Sequence, residues 1–226
     1  MEKKRGKFIV LEGVNGAGKT TQAELLAKKI GKTGRDVVCT KEPTQWTLPG
    51  IILNGDYELM KKGDGITMTN DDVEANLFFL DRLQHILDPR LGILHILDSG
   101  KDVVCDRFYW TSYVYNGLNI GYDKAVELNE ICTKLLTPDL TFFIDVPPDV
   151  CRERIVKRND REKNRTEAEL CDLRDRYFDA FSRKTESDGP VIQVECGSRD
   201  KEDVAEFISS IYTRFCCDME RGKAIF

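Results

Sequence analysis

Eight consecutive residues carry the clearest chemistry in this chain. Gly13-Val14-Asn15-Gly16-Ala17-Gly18-Lys19-Thr20, followed by Thr21, fits the spacing G-x-x-x-x-G-K-[ST]. Glycines let a backbone curl round an anion with its N–H groups turned inward. A helix that starts at the end of such a loop adds unpaired N–H groups and the positive end of its dipole. In that setting Lys19 reaches β- and γ-phosphates, and the Thr20 hydroxyl ligates magnesium. Residues 13–21 therefore point to a nucleoside triphosphate bound with Mg2+. They leave open where the terminal phosphoryl group goes.

The pattern has this meaning only between a strand and a helix. Residues 8–11 are a short continuous apolar run, as in a buried strand, and Ala23, Leu26, Ala27 and Ile30 recur at helical spacing. Further strands are predicted at 37–40, 102–106, 140–145 and 191–194. Helices are predicted over 71–98 with a break at Pro89, and over 109–118, 123–136, 149–158, 167–184 and 201–215. Residues 1–7 read as a frayed start, and 44–70 as loops around one short helix. Nearly all-apolar strands alternating with helices indicate a parallel sheet covered on both faces. No repeat or composition shift divides the chain, so one domain over residues 1–226 is expected.

In such a sheet ligands gather at the carboxyl ends of the strands. Glu42, Asp106, Arg107 and Asp145 fall there. Asp106 closes an apolar strand as a magnesium carboxylate would, and Asp145 has the same credentials; the alternative for each is a turn or capping aspartate. Arg107 beside a phosphate loop suits bidentate phosphate contact. Phe78 and Arg82 are four residues apart on a helix and share a face. They read either as a ring and a guanidinium that hold a base, or as a core phenylalanine and a surface arginine. Residues 157–165 form a charged run without an apolar residue. That run is either a solvated loop or a lid bringing Arg158, Arg161 or Arg165 to the transferred group, since the phosphate loop contains no arginine of its own.

Composition narrows the class. The net charge of −5 argues against a protein that coats nucleic acid. The eight cysteines form no C-x-x-C pair, and two histidines give them little help in binding a metal. Reduced thiols in a cytoplasmic protein are the expectation, and no apolar run has transmembrane length.

Taken in order, these segments resemble the thymidylate kinase family over nearly the whole chain. The matching segments are FIVLEGVNGAGKTTQ (8–22), TKEPT (40–44), FFLDRLQH (78–85), DRF through Ser112 with Tyr115-Asn116-Gly117, and PDLT with Asp145-Val146. Asn164-Arg165-Thr166-Glu167 sits where that family has D-R-[FY]-E after its lid. The resemblance implies a three-layer P-loop NTPase fold like that of nucleoside monophosphate kinases. Its five-stranded parallel sheet would run in the order 2-3-1-4-5, with a mobile lid at about 157–166. It implies transfer of phosphate from ATP to dTMP with Mg2+, giving dTDP for dTTP biosynthesis, in a homodimer, for which the long helix 71–98 could supply an apolar face.

It also implies residue roles. Phe78 stacks on thymine and Arg82 bonds its edge. Arg107 holds the dTMP phosphate, Lys41 stands where an arginine reaches the same phosphate, and Tyr115 packs near the deoxyribose. Glu12, Asn15, Glu42, Thr111, Ser112 and Asn116 complete the acceptor site. Thr20 and Asp106 serve magnesium, and a lid arginine among Arg158, Arg161 and Arg165 acts with Lys19 and Arg107. The chain differs from the family pattern at Asn15, where an acidic residue is usual, and at Lys41, Thr44-Gln45-Trp46, Asn116 and Thr166. Two other readings differ in chemistry. A kinase of another nucleotide or of a deoxynucleoside would, for a nucleoside acceptor, need Glu12 or Glu42 as base. A GTPase-like switch would need N-K-x-D and D-x-x-G motifs, which the sequence lacks.

Overall fold

The computed structural model describes residues 4–54, 70–159, 164–197 and 199–221. Five parallel strands, β1 (Phe8–Glu12), β2 (Val37–Lys41), β3 (Asp102–Asp106), β4 (Leu140–Asp145) and β5 (Val191–Glu195), lie in the expected order β2-β3-β1-β4-β5. β1, β3 and β4 are buried at every position, which is why they read as apolar runs. The register sets Leu11 beside Asp106 and Glu12 beside Phe143. The phosphate loop and the acidic ends of β3 and β4 therefore emerge on one rim.

The helices are α1 (Lys19–Lys32), α2 (Leu48–Leu53), α3 (Asp71–Leu87), α4 (Ile93–Asp98), α5 (Tyr109–Thr111), α6 (Gly117–Ile120), α7 (Tyr122–Leu135), α8 (Pro148–Lys157), α9 (Glu167–Ser182) and α10 (Lys201–Glu220). A π-helical turn, Ser112–Asn116, joins α5 to α6. The core is continuous from the sheet into the Phe108–Trp110 segment and α9, through contacts such as Phe143 with Tyr177 and Trp110 with Phe181.

Several boundaries differ from expectation for local reasons. Pro89 does end the long helix: Asp88 is extended (ψ 129), as a residue before proline prefers, and the chain turns helical again only at Ile93. The π turn inside 109–120 adds a residue that a 3.6-residue period does not reveal. α10 continues to Glu220, because nothing in 216–220 breaks a helix. Residues 6 and 7 are not frayed. The Gly6 N–H donates to the Leu97 carbonyl at 2.9 Å, and that of Lys7 donates to Asp102 Oδ1 at 2.7 Å. The short helix expected within 44–70 is α2, while 55–69 lies outside the described residues.

Candidate active site

The phosphate loop runs from β1 into α1. Gly13, Gly16 and Gly18 have φ of 149°, 85° and 90°, a region that side chains resist. A Cβ on Gly13 would stand 2.7 Å from the Ile144 carbonyl oxygen, so the loop also lies too close to β4 for any larger residue. Val14 and Ala17 are buried, and the Lys19 ammonium donates to the Val14 carbonyl at 2.9 Å across the loop's mouth. Burial, reinforced by the nearby Arg107 charge, pushes Lys19 down to about 7. Beside the loop lies a cavity of about 310 Å³ lined by Gly18, Thr21, Arg154, Lys157 and Arg158. Arg154 also donates to the Gly16 carbonyl at 3.3 Å.

At the end of β3, the Thr20 hydroxyl donates to Asp106 Oδ2, and Asp106 Oδ1 is buried with no partner. A hydroxyl, a carboxylate oxygen in want of a positive neighbour, and a phosphate loop together fit a hydrated magnesium ion held mainly by the nucleotide. Asp145 does not compete for that role. Arg174 grips it through Nε (2.6 Å) and Nη2 (2.8 Å), and Gln193 donates at 2.8 Å.

Arg107 leaves β3 with φ 72°, a left-handed conformation that costs an arginine about 1–3 kcal/mol. The turn swings its guanidinium back over the loop. There Nη2 donates to Asn15 Oδ1, Nη1 donates to Thr111 Oγ1 at 3.3 Å, and the charge sits 5.3 Å from the Tyr115 ring centroid. Burial opposes its charge, yet Tyr115, Tyr177, Asp106 and Glu12 hold it above its ordinary value. The Arg165 guanidinium lies 5.9 Å from the centroid of the same Tyr115 ring, whose hydroxyl accepts from the Asn15 N–H at 3.1 Å. Arg107 and Arg165 thus meet at one ring beside the loop. Arg158, at the end of α8, lines the cavity on the other side of the loop, and Arg161 lies outside the described residues.

The remaining residues expected to bind the acceptor include a buried ion pair. Glu42 is 5 % exposed and accepts from Arg82 Nε (2.8 Å), with Arg82 Nη2 in ion-pair contact at 2.7 Å, while the His85 ring lies 3.1 Å from its other oxygen. Arg82 Nη1 serves Ser112 (2.9 Å) and Asn129, and Nη2 serves the Phe108 carbonyl (3.1 Å). Each of its three nitrogens has a protein partner, so Arg82 is a buried strut rather than the surface arginine of the blander reading. A base edge reaches it only by displacing a partner. Phe79 packs on the core, while Phe78 is half-buried outside that cluster. Lys41 is half-buried and shares a second cavity of about 430 Å³ with Thr20, Trp46 and Asp106. Asn116 is half-buried at the end of the π turn.

Glu12 is placed differently from expectation. It is fully buried and spends both carboxylate oxygens on protein donors, which leaves no surface for a substrate. Sequence reasoning also passed over Asp81, which accepts from the Thr44 N–H (2.9 Å) and hydroxyl (2.7 Å) and fixes the loop after β2. Tyr177 and Arg154 were missed as well. A tyrosine within an amphipathic helix looks like ordinary core, and Arg154 falls just before the charged run that drew attention.

A phosphate loop on the central strand of a 2-3-1-4-5 sheet, with arginines reaching it from two other segments, is the arrangement of P-loop kinases that act on nucleoside monophosphates. Comparison with known proteins narrows this. The thymidylate kinase family model matches residues 11–208, and proteins named thymidylate kinase are 32 % identical in Ligilactobacillus salivarius (93 % of this chain, 99 % of the relative) and 32 % identical in Exiguobacterium sibiricum (95 % and 94 %). Another from Clostridium novyi is 34 % identical over 77 % of this chain and 84 % of its own. The chain belongs to the thymidylate kinase family.

Proposed function

We propose that this protein transfers the γ-phosphoryl group of ATP to dTMP, forming dTDP and ADP. The observation that carries this reading is the meeting of Arg107 and Arg165 at Tyr115, beside the phosphate loop. An oxygen of the dTMP phosphate forms the new O–P bond while the bond between the β-bridging oxygen and the γ-phosphorus breaks, and ADP departs with the electron pair. The attacking oxygen is already an anion, so the reaction needs charge neutralisation and alignment rather than a strong base. Both carboxylates able to act as a base on a nucleoside are withdrawn: Glu12 is fully buried, and Glu42 is committed to Arg82 and His85. That favours a monophosphate acceptor over a deoxynucleoside.

In this reading the loop amides and Lys19 hold the donor phosphates. Thr20 and Asp106 hold Mg2+, which supplies positive charge to the phosphate oxygens. Arg107 bridges donor and acceptor, Lys41 faces the acceptor phosphate, and Phe78 stacks on thymine with Arg82 behind it. Residues 157–166 act as a lid within one kinase domain, and Arg165 is its catalytic arginine. The protein works in the cytoplasm, consistent with eight unpaired cysteines; no helix among the described residues is long and apolar enough to cross a membrane. It pairs with a second copy through α3, where Val73, Leu80 and Leu87 recur every seven residues, each close to half exposed.

The deciding experiment is an acceptor panel of dTMP, dUMP, dGMP and thymidine with ATP and Mg2+. Preferred turnover of dTMP is expected, and preferred turnover of thymidine would overturn the reading. Sedimentation of the wild type and Leu80→Lys tests the pairing, with a dimer and a monomer expected.

A further inference from the structure

Glu12 is a costly residue to bury. Its carboxylate is fully enclosed, no cation among the described residues forms an ion pair with it, and burial pushes its pKa up. Four donors surround it instead. Oε1 accepts from the N–H groups of Phe108 (2.8 Å) and Thr111 (3.3 Å). Oε2 accepts from the hydroxyls of Thr111 (2.6 Å) and Tyr177 (3.0 Å). A well-packed apolar side chain at such a place is often as good for stability or better, so the arrangement calls for another explanation.

The four donors come from two segments that matter to the reaction. Phe108 and Thr111 open the helical stretch directly after Arg107, where a negative charge suits the unpaired N–H groups and the dipole. Tyr177 lies on α9, the helix that follows the lid residues. Thr111 links the two functions. Its proton goes to Glu12 at 2.6 Å, which leaves its oxygen lone pairs for Arg107 Nη1 at 3.3 Å.

We propose that Glu12 is a positioning residue that aims Arg107 through Thr111 and ties that aim to the lid helix through Tyr177. Glu12 sits one residue before the phosphate loop, so the carboxylate fixes the acceptor-side arginine relative to the donor-side loop. A displacement of about 1 Å in such a group can cost on the order of 10²-fold in rate. The proposal rests on the reading of Arg107 as the residue between the two phosphates.

The test compares Glu12→Gln, Glu12→Asp, Thr111→Val, the Glu12→Gln/Thr111→Val double variant and Arg107→Ala with the wild type, using ATP, Mg2+ and dTMP. Glu12→Gln is expected to lower kcat on the order of 10²-fold and to raise the KM for dTMP, while the KM for ATP stays within about twofold. Thr111→Val should reproduce that split, and the double variant should be no worse than the poorer single one, as for residues acting in one chain. Glu12→Asp, which keeps the charge, should recover part of the rate. Multiplying effects, or equal rises in both KM values with a lowered melting temperature, would reduce Glu12 to a structural role and overturn the proposal. Should Glu12→Gln fail to fold, Thr111→Val alone carries the test, and a wild-type KM for dTMP in it overturns the proposal. Near-normal turnover in Arg107→Ala would instead show that the site reading had failed, whereas a crippled Arg107→Ala beside a normal Glu12→Gln would sink only the role of Glu12.

Discussion

The Thr20 hydroxyl donates its hydrogen bond to one oxygen of Asp106, and the other oxygen of that carboxylate is buried without a partner. A buried acceptor left unmade costs about 1–3 kcal/mol, and an ion or its water shell beside it would remove the cost. Asp106→Asn keeps the shape and removes the charge. Loss of an outer-shell partner typically costs 10–100-fold in metal affinity or activity. The expected outcome is a Mg2+ requirement raised by about that factor at fixed ATP, with an unchanged melting temperature, read from initial rates across a magnesium titration.

Lys19 gives a pH prediction with a definite sign. Burial and the Arg107 charge hold it at about 7 in the nucleotide-free protein, against an ordinary 10.5. Between those values the unfolded chain binds a proton that the folded chain has released, so this group makes stability rise with pH in that window. A triphosphate demands the opposite, a charged ammonium. Binding of ADP or a non-hydrolysable ATP analogue should therefore take up close to one proton at pH 8 and almost none at pH 6. Affinity should fall as pH rises through 7. Calorimetry in two buffers of different ionisation enthalpy measures the uptake, and Lys19→Met should abolish it.

Much of this was legible in the sequence, and the reason is local. The phosphate loop is contiguous, and its glycines announce the backbone they need. β3 and β4 are buried on both faces, so their apolar runs end sharply at Asp106 and Asp145. What the chain could not show was which of those aspartates was free. That depended on Arg174 and Gln193 folding back onto Asp145 from segments 29 and 48 residues away. The same holds for Arg82. Its spacing with Phe78 was plain, but its burial follows from Glu42, Ser112 and Asn129, three residues that no periodicity brings together.

Tyr115 should behave as a platform rather than only as a sugar contact. Each guanidinium over its ring contributes about 0.5–1 kcal/mol at a partly exposed site. Two of them, realised as charge builds on the transferred group, amount to roughly a factor of 5–30 in rate. Tyr115→Phe keeps the ring and loses the hydroxyl that accepts from the Asn15 N–H, so kcat should stay within about fivefold of wild type, the worth of one hydrogen bond of about 1 kcal/mol. Tyr115→Leu removes the ring and should show the larger fall. Equal effects in the two variants, measured as kcat with saturating ATP and dTMP, would place the importance in the hydroxyl instead.

Arg165 and Arg158 bracket the charged run and separate on position. Arg165 shares the Tyr115 ring with Arg107, and Arg158 lines the cavity beside Gly18 and Thr21. An arginine that neutralises the transferred phosphoryl group is worth about 10³–10⁵ in rate. Arg165→Ala should therefore lower kcat by at least about 10³-fold, with modest change in either KM. Arg158→Ala should chiefly raise the KM for ATP. Single-turnover rates with pre-bound ATP distinguish the two, since they report the chemical step and ignore donor affinity.

Arg82 and Glu42 form a buried pair, 1 % and 5 % exposed, among the residues proposed for the acceptor site. Removing one member of such a pair strands the other charge and costs about 3–5 kcal/mol. In a chain of this length that corresponds to a melting temperature lower by roughly 10 °C. Arg82→Ala should show that loss, measured by differential scanning calorimetry. It should also raise the KM for dTMP far more than that for ATP, because Ser112 and the Phe108 carbonyl lose the partner that holds them against the acceptor site. The double variant Arg82→Met/Glu42→Leu separates the two consequences. It removes both charges, so most of the lost stability should return while the KM for dTMP stays high. Recovery of dTMP binding along with stability would mean that the pair holds the fold together and takes no part in forming the acceptor site.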